Sequence, residues 1–206
     1  MSTTSEGYIL AIEAAIAGGS LSLLRDGIEV ASKTGTVAKA EFLLEAIRFL
    51  LIDQGIGLIQ LERIAVSAGP GSFTGIRIGI ATALGLKNGS GAAINIVCTL
   101  AAIADAWGPD GTFKIAVPTG RGAVAIQQFA KTDVCRAADE ARIVEESRLL
   151  IAAGEGTLLL HEDLTAKVPS AANVVNIGRN VAAAIGYFAH AHPHVQSEPI
   201  FLSKNF

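Results

Sequence analysis

The stretch Ser67–Gly85, SAGPGSFTGIRIGIATALG, limits this chain more than any other. The apolar run Ile64-Ala65-Val66 enters it as a strand and an apolar segment leaves it as a helix. Between them lie Gly69, Pro70 and Gly71, which turn the chain. Ser72 is placed to cap the helix that follows. A strand, a glycine loop and a helix in that order belong to an α/β architecture.

The flanks extend this pattern. Tyr8–Ile16, Ser20–Asp26 and the run from Ile28 read as three short strands. The turn signals Gly18-Gly19 and Asp26-Gly27 join them into an antiparallel meander. A helix is predicted from about Val37 to Gln54 with Thr36 as its cap, ended by Gly55 and Gly57. The glycine-loop helix covers Ser72–Asn88, a strand follows at AAINIVC, and a helix at TLAAIADAW. Gly108-Pro109-Asp110-Gly111 is the strongest loop signal. Beyond it, FKIAVPTGRGAVAIQQFA reads as two strands about a glycine turn, TLLLH as a strand, and VNIGRNVAAAIGYFAHAH as a terminal helix. The division expected is a first lobe over 1–99 and a smaller second lobe over 100–206. The last helix is expected to pack back on the first lobe, and residues 1–6 to form a polar tail.

Two helices are apolar on more sides than one sheet can cover. In the first, Glu41, Glu45 and Arg48 share one stripe, and Phe42, Leu43, Leu44, Ala46, Ile47, Phe49, Leu50 and Leu51 fill the rest. In the second, Gly75, Gly79 and Ala83 recur every four residues beside a ridge of Ile76, Ile80 and Leu84. Each glycine inside a helix costs roughly 0.5–1 kcal/mol against alanine, so close packing must offset it. Either both helices are buried inside this chain, or they form a helical interface with another subunit. The interface reading uses Phe42, Ala46, Phe49, Leu50, Gly75, Ile76, Gly79, Ile80 and Ala83.

Composition narrows the function. Half of the 206 residues are hydrophobic and 17% are charged, below the roughly 25% of ordinary soluble domains. Such a chain has little polar surface, which fits cover by a partner. The net charge is −3 with no basic run, so nucleic acid is expected to be met only indirectly. Cys98 and Cys135 lack metal or disulfide spacing and fit a reducing cytosol, with Cys98 read as a core residue. No leader or membrane-spanning run is read, so a cytoplasmic protein is expected.

The glycine loop offers one chemical alternative. Gly69, Gly71, Ser72, Thr74 and Arg77 could contact an anion or nucleotide at the positive end of the helix. Against this, neither GxxxxGK[ST] nor GxGxxG is present; Gly69, Gly71 and Gly75 miss the latter by one residue. Arg77 either pairs with a carboxylate of its own chain or reaches a partner or anion. His190, His192 and His194 in HAHPH are expected to lie at a solvated helix end, with no metal bound, and His161-Glu162-Asp163 at a surface turn. There is no zinc or nucleophile framework for peptidase chemistry.

GPGSFTGIRIGIATALGL closely resembles the signature of the TsaB (YeaZ) family, the partner subunit in bacterial threonylcarbamoyladenosine tRNA modification. ILAIEAAIAGGSLSLLRDG is similar to the family's ILAIDTSTEACSVAL hairpin, and CTLAAIA to its VSSLEALA. PTGRGAVAIQQF is similar to DARRGEVYAQLY, and EPIFL to the terminal PxYLR. The resemblance is strong over 8–106 and faint over 131–175. It implies an α/β fold of two ASKHA lobes (actin/Hsp70-like, ribonuclease H-like), with mixed sheets flanked by helices. It also implies a subunit without catalysis of its own that binds and activates a TsaD-type transferase through a helical bundle and self-associates by the same surface. No cofactor is implied for the chain alone; ATP or ADP is implied at the junction with the partner. The chain departs from the pattern at Glu13-Ala14-Ala15, where the family has Asp-Thr-Ser, and at Pro118, where it has aspartate. Lys39 stands where the family has histidine. These losses weaken any nucleotide site. Two alternatives remain open: a self-associating scaffold that has lost the tRNA role, and a freestanding ATP-dependent or glycoprotease-like enzyme of this fold.

Overall fold

The first apolar run forms β1 (Tyr8–Glu13), buried on both faces. A computed structural model describes residues 7–168 and 173–202; the tail expected over 1–6 lies outside the described residues. β1 pairs antiparallel with β2 (Ser20–Arg25), and β2 with β3 (Ile28–Thr34). The turn between β2 and β3 has φ of 53° at Asp26 and 78° at Gly27, as a two-residue hairpin requires. On its other side β1 pairs in parallel with β4 (Leu61–Ser67), and β4 with β5 (Ala93–Val97). The order is β3-β2-β1-β4-β5.

Two helices cover one face of this sheet. α1 (Ala40–Asp53) places Leu43, Ile47 and Leu50 over Leu10, Ile12, Leu21 and Leu23, each buried side chain worth roughly 1.5–3 kcal/mol. The cap expected at Thr36 is corrected. Thr36–Ala38 is a separate 3₁₀ turn, Lys39 is extended, and no side chain caps α1. The cause is tertiary: Ala38 N–H donates to Gly18 O at 3.1 Å and Gly35 N–H to Gly19 O at 3.1 Å, which ties this segment to the β1–β2 turn. α2 (Phe73–Ser90) starts as expected, with Ser72 Oγ accepting from Gly75 N–H, and stops at Gly91 with φ of 75°.

The other face of the sheet carries α3 (Thr99–Trp107) and the last helix. The second sheet is built from β6 (Gly111–Gly120), β7 (Ala123–Lys131), β8 (Cys135–Ala137), β9 (Arg142–Glu145), β10 (Thr157–Leu160) and β11 (Val174–Asn176). Its order is β11-β10-β6-β7-β8, with β9 also on β7. Two short helices, α4 (Leu149–Ala153) and α5 (Glu162–Thr165), cover its outer face, with Leu149 and Leu164 packed on Leu158 and Leu160 of β10. α6 (Val181–Ala191) packs on β1 and β2. The terminal helix expected from Val175 therefore begins six residues later. Val174–Asn176 is taken by pairing with β10, and Gly178 turns with φ of 72° before the helix can start. Leu100, Ile103, Val181 and Ile185 lie between the sheets against Ile9, Leu24, Phe113 and Ile115. The layers run helix, sheet, helix, sheet, helix: two mixed sheets flanked by helices, in a two-lobe ASKHA-like fold.

Candidate functional site

The glycine loop rests on the turn after β1. Ser72 N–H donates to Ala15 O at 2.7 Å, Thr99 N–H to Gly69 O at 2.9 Å, and Gly69 N–H to Ser67 Oγ at 3.0 Å. Ser67 Oγ also meets Thr99 Oγ1 at 2.7 Å. The Gly69–Pro70 peptide is cis, and Gly69 has φ of 89°. A Cβ on Gly71 would stand 2.6 Å from Ala15 Cβ, and one on Gly75 2.0 Å from Ala14 O. The loop and the first turn of α2 thus press directly on Ala14 and Ala15.

Glu13 holds that turn from beneath. Its Oε1 accepts from Ala15 N–H at 2.6 Å and Ile16 N–H at 2.8 Å, and the residue is 1% exposed. The carboxyl is turned into its own turn. Burial pushes its pKa up to about 8, against the two hydrogen bonds, which pull it down. Between about 4.5 and 8 the unfolded chain gives up this proton while the folded chain keeps it, so stability falls as pH rises through that window and levels off above it. Glu13→Gln keeps the acceptor without the charge. It is expected to be more stable than wild type at pH 8 by a few kcal/mol, at roughly 1.4 kcal/mol per pKa unit, with the gap closing toward pH 5. Urea unfolding at both pH values checks this.

The residues read as an anion site divide. Gly71, Ser72 and Thr74 line a cleft of about 520 Å³ with Thr119, Gly120 and Arg121 from the β6–β7 hairpin. Gly69 belongs to the loop but does not line that cleft. Arg77 is exposed, with its guanidinium 5.4 Å from the Phe73 ring centroid. The amides of Gly69, Ser72 and Gly75 are already bonded within the chain. Pro118 is buried in β6, paired with Val124.

The interface residues also divide, and six are corrected. Ala46, Leu50, Gly75, Ile76, Gly79 and Ala83 are buried in the chain's own core. The small-residue stripe faces inward because α2 must approach Ala14 and Val66. Ile80 is half-buried against the same core. Phe42 and Phe49 point outward, as do Leu44, Ile52, Phe73 and Leu84, all between 45% and 56% exposed. Lys39 Nζ lies 5.9 Å from the Phe42 ring and Lys33 Nζ 6.0 Å from Phe49. Beside Leu84 the outer side of α2 is small: Ala81 and Gly85 are both exposed, and a Cβ on Gly85 would meet nothing within 4 Å. Exposed apolar side chains therefore stand on both helices, on α1 beside the exposed stripe of Glu41, Glu45 and Arg48.

The histidines do not converge. His190 and His194 line a 310 Å³ hollow with Asp26 and Glu62, whereas His192 Nε2 lies 3.3 Å from Asp105 Oδ2. Among the described residues no three His, Cys, Asp or Glu side chains are placed to hold a metal. Cys98, half-buried, shares a 300 Å³ hollow with Cys135, and burial raises both thiol pKa values. His161, read as part of a surface turn, is 1% exposed, and its Nδ1 accepts from Asp163 N–H. Burial lowers its pKa. Sequence reasoning missed a second cleft, where Gly18, Thr36 and Lys39 face Asp163 and Arg179. Its two walls are more than a hundred residues apart in sequence and carry no shared motif.

The sequence model of the family described as "TsaD: tRNA N6-adenosine threonylcarbamoyltransferase" matches residues 36–183. The tRNA threonylcarbamoyladenosine biosynthesis protein TsaB of Escherichia coli is 34% identical over 113 residues, 52% of this chain and 47% of that protein. The TsaB of Haemophilus influenzae is 34% identical over 103 residues, 48% of this chain and 42% of that protein. This chain belongs to the TsaB (YeaZ) family. It matches just under half the length of these TsaB relatives. A Pseudomonas aeruginosa protein described as similar to peptidase YeaZ superposes with a TM-score of 0.69 at 21% identity, over 96% of this chain and 100% of that one. That likeness shows a shared YeaZ fold. Among the described residues no helix is long and apolar enough to cross a membrane.

Proposed function

We propose that this TsaB-family chain is a non-catalytic subunit that docks on a TsaD-type threonylcarbamoyl transferase and activates it toward tRNA. The observation that carries the reading is the outer face of α1 and α2, with Phe42, Leu44, Phe49, Ile52, Phe73 and Leu84 left about half exposed. Large apolar side chains grouped on two neighbouring helices mark an interaction surface. Ala81 and Gly85, both exposed on α2, would let a partner helix come close. A second copy of the chain would bind the same face and so compete with the partner. The turned-in Glu13 supports a chain with no nucleotide chemistry of its own. ATP or ADP would sit at the subunit junction, against the cleft lined by Ser72, Thr74 and Arg121. The work belongs to the cytoplasm, where tRNA is modified, and tRNA would be met through the partner.

Reconstitution tests this. The TsaD-type subunit from the same organism and the other components of the modification reaction are assayed with tRNA, with and without this chain. Threonylcarbamoyladenosine is read by mass spectrometry of the digested tRNA. The expected result is modification only when the chain is present, with ATP turnover by the chain alone at background. Equal modification without it would overturn the proposal, and ATP turnover by the chain alone would favour a freestanding enzyme.

A further inference from the structure

After α6 the chain runs along the open edge of β5, and its last described residues lie against the glycine loop. Asn95 Nδ2 donates to Pro193 O at 3.1 Å and Val195 O at 2.8 Å, and Ser197 N–H donates to Ile96 O at 2.7 Å. Cys98 N–H donates to Ser197 Oγ at 3.2 Å. Three residues on, Ile200 N–H donates to Ala68 O at 2.7 Å. A Cβ on Gly69 would stand 2.9 Å from Ile200 O and 2.6 Å from Ile76 Cδ1. Gly69 is therefore held between this strap and the first turn of α2.

The strap also changes what the loop shows to solvent. The Phe201 ring centroid is 4.8 Å from that of Phe73, and Arg77 stands by Phe73. Leu202 lines the cleft beside Gly71, Ser72 and Thr74. Phe201 remains 49% exposed and Phe73 55% exposed. The pair does not build a core. It widens the apolar outer surface of α2 at its N-terminal end, with a cation at its border.

We infer that residues 197–202 are a clasp with two roles: they hold the glycine loop in shape, and they add Phe201 to the surface that meets the TsaD-type subunit. The second role rests on the partner reading above; the first does not. The fitting partner surface is an apolar side chain against the Phe73–Phe201 pair, with a carboxylate beside it for Arg77. The strap is continuous with the α2 face, and it is bonded to the loop from which that helix starts.

Two full-length point variants separate the roles. Ile200→Pro removes the N–H that bonds Ala68 O, and Phe201→Ala removes the ring from a half-exposed position. Amide exchange of the free chain is read by mass spectrometry over residues 68–76, with the β6–β7 hairpin as internal reference. Affinity for the TsaD-type subunit is read by calorimetry. Ile200→Pro is expected to speed exchange of the loop amides about tenfold and leave the hairpin unchanged. Phe201→Ala is expected to weaken binding about tenfold with an unchanged melting midpoint. Unchanged loop exchange in Ile200→Pro would overturn the clasp. Wild-type affinity in Phe201→Ala would overturn the docking role and leave the partner reading standing. If the wild-type chain does not bind the TsaD-type subunit, the partner reading and the docking role fall together, and the exchange result alone decides the clasp.

Discussion

Gly75→Ala is expected to destabilise the fold by about 3 kcal/mol or more, at the upper end for overpacking. The added Cβ would stand 2.0 Å from Ala14 O and 2.9 Å from Ala14 C and Ala15 Cα. All three are backbone atoms of a turn that Glu13 holds from the other side, so none can swing aside. Helix propensity alone favours alanine by about 1 kcal/mol, and the expected loss is therefore wholly steric. Gly85→Ala on the same helix is the control. Nothing lies within 4 Å of its Cβ, and the change is expected to stabilise by roughly 0.5–1 kcal/mol. Opposite signs in urea unfolding are the signature. If Gly75→Ala unfolds like wild type, α2 does not press on the β1 turn as described.

The triple variant Phe42→Asp/Phe49→Asp/Leu84→Asp is expected to weaken binding to the TsaD-type subunit by about 100-fold or more. Docking would bury three carboxylates without partners, and unpaired buried charge costs several kcal/mol per ion. In the free chain the same residues are about half exposed, so the fold is expected to lose no more than about 1–2 kcal/mol over the three changes, at about 0.5 kcal/mol for each surface change. Circular dichroism and the melting midpoint check the fold, and calorimetry the affinity. Ile76→Asp is unsuitable for this purpose. At 1% exposed it would place a carboxylate in the core and lose binding by unfolding.

These two expectations mark what could and could not be read from residues alone. The β1–β3 meander follows from Gly18-Gly19 and Asp26-Gly27, whose dipeptides demand the positive φ they adopt. The start of α2 follows from Ser72, whose hydroxyl does accept from Gly75. The spacing of Gly75, Gly79 and Ala83 shows that they share a face of the helix, but not which way the face turns. The β1 turn decides that, and it comes some sixty residues earlier in the chain. In α1 the apolar residues surround most of the helix, so periodicity cannot separate Phe42 and Phe49 outside from Ala46 and Leu50 inside. Thr36 has the right chemistry for a cap, yet the ties from Ala38 and Gly35 to Gly18 and Gly19 hold it in a 3₁₀ turn. The strap is least legible of all. Its anchors are Asn95, Ile96 and Ala68, about a hundred residues or more from the groups they bond.

The most direct test of the account is a calorimetric titration of the TsaD-type subunit from the same organism into the wild-type chain, with the triple variant in parallel. The account predicts saturable binding of the wild type and a loss of about 100-fold or more in the folded variant. Equal binding by wild type and variant, or no binding by the wild type, would contradict it.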